Sequence, residues 1–178
     1  MQRRFAVTFL LTISLLLGSC CTPAYKCTDP LGCVEISAGG QVLIGALFTL
    51  YGNQGEAGRQ AADEIKTAIQ KNGLILGHEI KLIWQGSDCS EHYARLSATL
   101  LTGTPDILAI IGPSCATDMR VALPILEDAG LPLIPPYPTA VQAYQHLVIA
   151  INNSAIQQPN GALVIPRSTL QQAIQTLP

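Results

Sequence analysis

The side chains able to do chemistry in this sequence are few, and they fall into two groups. One is a set of six cysteines, Cys20, Cys21, Cys27, Cys33, Cys89 and Cys115. The other is the run Ser114-Cys115-Ala116-Thr117, where hydroxyls flank a thiol just after a greasy stretch. Thiols hold metal when they come as Cys-x-x-Cys or beside paired histidines. Neither pattern occurs, and His78, His92 and His146 are scattered, so no metal or cofactor is expected. The chain starts with Arg3 and Arg4, an apolar run from Phe5 to Leu17, and then small residues. That order is a secretion signal over residues 1–19, and its apolar run is shorter than the about 20 residues that span a bilayer. Thiols of exported chains pair. Cys27 and Cys33 could close a small loop, and Cys89 and Cys115 a larger one contributing about 3–4 kcal/mol. Cys21 is left over if Cys20 is modified.

Once residues 1–19 are removed, the rest suffices for one folded unit with its own core. A composition of 48% hydrophobic and 12% charged residues excludes a disordered polar chain. Net charge is −2 with no basic run after Arg4, which excludes a nucleic-acid partner. Residues 20–40, with Pro23, Pro30, Gly32, Gly39 and Gly40, read as a tether. From residue 41 onward strands and helices alternate. Gln41–Leu47 carries Val42, Ile44 and Ala46 at period two, a strand. Arg59–Lys71 has Ala62, Ile65 and Ile69 at helical spacing. Glu79–Trp84 is a second strand, and Ser90 caps a helix through Tyr93, Leu96, Leu100 and Leu101 that ends near Gly103. Ile107–Ile111 is apolar throughout, as a strand buried on both faces must be. A third helix spans about Cys115–Asp128 and stops at Gly130, with Pro124 expected to kink or shorten it. Leu131–Ile134 is a fourth strand. This order gives an α/β class, with right-handed crossovers and a single doubly wound parallel sheet. After the rigid Pro135-Pro136-Tyr137-Pro138 come a helix over Ala140 to about Ala155, a turn at Gln157–Gly161 and a short candidate strand at Ala162–Ile165. The capping-box pattern at Ser168–Gln171 then opens a last helix with Leu170, Ile174 and Leu177. Residues 41–178 are thus one α/β lobe, with its core over 41–139 and returning helices over 140–178.

Ligands of open parallel sheets sit beyond the carboxyl ends of the strands. Four loops meet there: Leu50–Gly55, Gly86–Ser90, Gly112–Thr117 and Pro135–Thr139. The third opens a helix, whose free N–H groups and positive dipole end favour an anion. The hydroxyls of Ser114 and Thr117 could bind it or could cap the helix. Tyr51, Pro136 and Tyr137 belong to the same loop face. Gly112-Pro113-Ser114-Cys115-Ala116 has the outline of a nucleophile elbow without its final glycine. Its base would have to be His146, and the acids Asp118 and Asp128 read as solvated helix residues, so no enzyme is expected.

Leu17-Gly18-Ser19-Cys20 resembles the lipobox of bacterial lipoproteins, which implies that Cys20 is acylated and anchors the chain to a membrane. Five further stretches resemble the type I periplasmic binding proteins, specifically the branched-chain amino-acid-binding lipoproteins of ABC importers. They are Val42-Leu43-Ile44-Gly45-Ala46, Leu76-Gly77-His78-Glu79-Ile80, Asp88-Cys89-Ser90, Ile110-Ile111-Gly112-Pro113-Ser114-Cys115 and Pro124–Leu131, in order between about Val42 and Thr139. The resemblance implies a flavodoxin-like three-layer sandwich and a disulfide between Cys89 and Cys115. It also implies an amino-acid ligand such as leucine, isoleucine or valine, ABC permease partners, and export to the periplasm or outer face of the cell membrane. In the family, hydroxyls after the cysteine and after the fourth strand hold the ligand. Thr139 keeps the second by match, whereas Ala116 stands where relatives carry serine. Ala143-Tyr144 and Gly161–Ser168 resemble a segment near the family's C-terminus, reached after the chain has visited a second lobe. The piece between is missing, with the join near Thr139–Val141, which implies one lobe and weak binding. The alternative is a lipid-anchored docking domain using Tyr51, Pro136 and Tyr137, or a non-functional remnant of such a receptor.

Overall fold

Ile107–Ile111 is buried at all five positions, so helices must cover both faces of the sheet that holds it. The computed structural model describes residues 25–136 and 138–176. The leader, Cys20, Cys21, Tyr137 and Leu177 lie outside the described residues. In chain order the elements are β1 (Cys33–Ile36), β2 (Val42–Thr49), α1 (Gly55–Asn72), β3 (Leu74–Ile75), β4 (His78–Ser87), α2 (Glu91–Thr102) and β5 (Ile107–Ile111). They continue as α3 (Ala116–Asp128), β6 (Leu133–Ile134), α4 (Ala140–Ser154), β7 (Ile156–Gln157), β8 (Leu163–Pro166) and α5 (Arg167–Thr176).

β2, β4, β5 and β6 run parallel, with β2 between β4 and β5 and β6 outside β5. Among the parallel strands the order is therefore second, first, third, fourth, and it reverses between β2 and β5. Period-two alternation along β2 feeds two cores. Ile44, Ala46 and Phe48 pack with Ile65 of α1 and with Tyr144, Leu147 and Ile151 of α4. Leu47 packs the opposite way, with Ala98 and Leu101 of α2 and Ala122 and Leu126 of α3. The result is a doubly wound, three-layer arrangement.

Three expectations need correction. The sheet is not wholly parallel, because β3 adds an antiparallel edge to β4. Residues 33–36 are not tether: β1 pairs antiparallel with β8, and β7 completes a separate three-stranded sheet. Val34 and Ile36 are its buried side, and a strand of four residues shows too little alternation to stand out. The last helix is not capped from within by Ser168. Asp29, in the presumed tether, accepts from the Ser168 hydroxyl and from Ser168 N at 3.1 Å. Pro124 leaves α3 its full length to Asp128, because Pro124 is on the exposed side, where water can serve the unbonded carbonyl. At the end of α3, Gly130 takes φ 64 while Leu131 N returns to Leu126 O at 2.9 Å, a left-handed stop.

The two sheets share a core, in which Val34, Ile36, Leu163 and Ile165 join Ile44 and Phe48, and one polar side chain also links them. His78, buried at the start of β4, sets Nδ1 2.9 Å from Gly40 O and Nε2 3.1 Å from Gly161 O. The disulfide between Cys27 and Cys33 closes the loop that leads into β1.

Candidate functional site

The crossovers from β2 and β5 leave on opposite faces of the sheet, to α1 and α3, so their carboxyl ends part and a crevice opens between them. A cleft of about 360 Å³ lies there, lined by Thr49, Gln54, Ala57, Gly58, Ala61, Ser114 and Pro136. It depends on a close approach: a Cβ at Gly58 would lie 1.8 Å from Thr49 O. Gly58 therefore lets the first turn of α1 sit on the end of β2.

Ser114 is not a helix cap. Its Oγ accepts from Thr49 N at 2.8 Å, which joins the ends of β2 and β5 and leaves the hydroxyl proton for another acceptor. The capping position belongs to Cys115, whose Sγ accepts from Asp118 N at 3.4 Å. The structure pairs Cys115 with Cys89, tying the loop after β4 to the start of α3. Ala116 is exposed and Thr117 half-buried, at the first two helical positions, where amides have no acceptor within the helix. The chain thus offers the Ser114 hydroxyl on the wall of a small, open cleft, with the opening amides of α3 following it in sequence. An anionic head group is what such a wall can hold.

The other expected residues stand apart from that wall. Thr139 caps α4, accepting from Gln142 N at 3.2 Å. Tyr51 is 59% exposed and lies over the end of β4, where a Cβ at Gly86 would meet its ring at 2.8 Å. Tyr137 lies outside the described residues. Thr49 and Gly58 were missed. Gly52, Gly55 and Gly58 recur every third residue, and that spacing was the available signal for a closely packed helix start.

Asp118 corrects the sequence reading most sharply, because it is fully buried rather than solvated. Its Oδ2 accepts from Thr49 Oγ1 at 3.1 Å and from the Ser87 hydroxyl, while its Oδ1 has no partner. Burial pushes this carboxyl above its ordinary range, the Ser87 and Thr49 hydroxyls pull it back in part, and the charge of Asp88 adds to the rise. Asp118 thereby fastens the ends of β2 and β4 to α3 beneath the cleft. The hydrogen bonds of Ser114 and Asp118 include no histidine, so the nucleophile-elbow arrangement has no base bonded to it among the described residues. Among those residues no cluster of His, Cys, Asp and Glu is placed to hold a metal, and no helix is long and apolar enough to cross a membrane.

No family model matches the chain, and no curated protein matches it in sequence. Solved structures do match it. The branched-chain amino acid transporter substrate-binding protein of Streptococcus pneumoniae, in complex with isoleucine, is 23% identical with a TM-score of 0.51. That match covers 54% of this chain and 28% of the other. A leucine-binding protein from Thermotoga maritima is 20% identical with a TM-score of 0.50, covering 76% and 45% of the two chains. A solute-binding protein of an ABC transporter from R. palustris, in complex with benzoate, is 19% identical with a TM-score of 0.51, covering 62% and 29%. The chain spans less than half the length of each. These likenesses establish the fold, that of a lobe of type I periplasmic binding proteins.

Proposed function

We propose that this chain is a solute-binding component of an ABC importer reduced to one lobe, which takes a small carboxylate, branched-chain amino acids first. One observation carries the reading: the Ser114 hydroxyl, two residues before α3 opens, lines the cleft at the point where the sheet order reverses. The ligands named for two structural neighbours, isoleucine and benzoate, share a carboxylate, the group such a wall suits. A single lobe leaves the far side of the ligand in water, where buried area and charge pairing count for little. Binding is then weak, with dissociation constants on the order of millimolar. The chain would be exported, acylated at Cys20 and coupled to permease subunits; lipid labelling that persists in Cys20→Ser would remove the anchor from this picture.

Titration of ¹⁵N-labelled protein with leucine, isoleucine and valine tests the reading. Expected are shifts at Thr49, Ser114, Ala116 and Thr117 that saturate only at high ligand, and a further loss of about fivefold to tenfold in Ser114→Ala. Calorimetry that finds nanomolar affinity would overturn the half-site, and no shift at the cleft would overturn solute binding altogether. The exposed ring of Tyr51 at the open rim favours a second reading, a docking surface for another protein. A stable dimer in light scattering would support that one instead.

A further inference from the structure

We infer that Asp118 selects which carboxylates the cleft accepts, favouring zwitterions over ligands that are purely anionic. The inference rests on the solute-binding reading above. In that reading the negative head group lies against Ser114 and Thr49, and Asp118, the third residue of α3, accepts from the Thr49 hydroxyl, so one side chain stands between two negative groups. The helix end supplies only about half a positive charge, less than one carboxylate cancels. No side chain among the described residues neutralises Asp118. Its bonds come from the hydroxyls of Thr49 and Ser87, and Oδ1 has none.

The charged groups around it give no relief. The loop after β4 contributes Asp88, a further negative charge. Arg120 of α3 is paired with Glu91 of α2 at 2.7 Å, and Arg59 of α1 is bonded to Leu50 O at 2.5 Å. His92 of α2 stacks edge-on with Tyr93. A plain carboxylate arriving at this wall meets an uncompensated buried charge, which water and salt screen poorly. An amino acid brings its own ammonium group two bonds from its carboxylate and offsets that charge. Asp118 does not touch the ligand. It acts by its field and through Thr49, which bonds to it and lines the cleft. The rise in its titration that burial causes means that acid removes the selection by protonating it.

The probes are L-leucine and 4-methylpentanoate, which share a side chain and differ by the ammonium group. Both are titrated by NMR into wild-type protein and Asp118→Asn, at about pH 6 and about pH 8.5, where both ligand carboxylates are ionised. At the higher pH the wild type should prefer leucine by on the order of tenfold. Asp118→Asn should tighten 4-methylpentanoate by about the same factor and change leucine by less than about threefold. Lowering the pH should move wild type toward the variant, the direction that burial of Asp118 sets, and Asp118→Ser takes the place of Asp118→Asn if that variant does not fold. A leucine preference equal in both proteins and at both pH values overturns the role of Asp118 and leaves the binding reading standing. Equal weakening of both ligands in the variant overturns it too, since a merely structural residue behaves so. If neither probe shifts the cleft amides in either protein, the solute-binding reading fails and this inference fails with it.

Discussion

Asp118 and Asp29 both serve the start of a helix, yet their surroundings drive them to opposite sides of the ordinary carboxylate range. Burial raises Asp118, against the pull of two hydroxyls. Burial works the same way on Asp29, but the Ser168 hydroxyl and the amides of Leu31 and Ser168 outweigh it and hold that carboxyl low. The signs for stability follow from linkage. The raised group destabilises the fold only once ionised, so stability is lost as pH rises from the unfolded carboxylate value through its raised value. The lowered group contributes above the unfolded value, and that contribution disappears as pH falls through its lowered value. Urea unfolding across this range should therefore show Asp118→Asn gaining on wild type as pH rises from about 4. Asp29→Asn should fall behind wild type at neutral pH and rejoin it in strong acid. Parallel pH slopes for wild type and Asp118→Asn would contradict the assignment of that buried charge.

At the level of elements, the contact between α1 and β2 matters most, because it shapes the cleft and tolerates no side chain. A Cβ at Gly58 would lie 1.8 Å from Thr49 O, and backbone on both sides cannot move apart without opening the core beneath. Gly58→Ala should cost about 3 kcal/mol in chemical denaturation and abolish ligand shifts at Thr49. A variant as stable as wild type would mean that α1 rides more loosely on β2 than the distance implies. This contact was not legible in the sequence, since it links positions through a loop that looked irregular, and helix α1 was expected only from Arg59. What could be read locally was read. The uniform apolarity of Ile107–Ile111 gave a buried strand, and Ser90 and Gly130 gave helix ends. Elements that exist only because a distant partner holds them were missed or misread. β1 and the burial of Asp118 each depend on a segment far along the chain, while β7 is only two residues long and shows no pattern of its own. The Ser168 pattern was read as self-capping because Asp29 lies 139 residues away.

For the whole molecule, the entry of the chain into β2 and the cleft lie at opposite ends of the larger sheet. The chain enters through β1 and passes Gly40 at the amino end of β2, whereas the cleft opens at Thr49, the last residue of that strand. Eight residues of strand separate them by about 25 Å. The joint at the amino end of β2 is His78, whose ring nitrogens meet carbonyls from the segment before β2 and from the turn between β7 and β8. Removing the ring leaves a carbonyl without its donor and a void, so His78→Ala should cost about 2–3 kcal/mol. The loss should also be uneven. Hydrogen exchange should rise at Val164 and Ile165 in β8 well before it rises at Ile110 in β5, and the ligand-induced shifts at Ser114 should persist. Equal loss of protection in both sheets would mean that they open as one unit, and that loosening the amino end of β2 also disturbs the cleft.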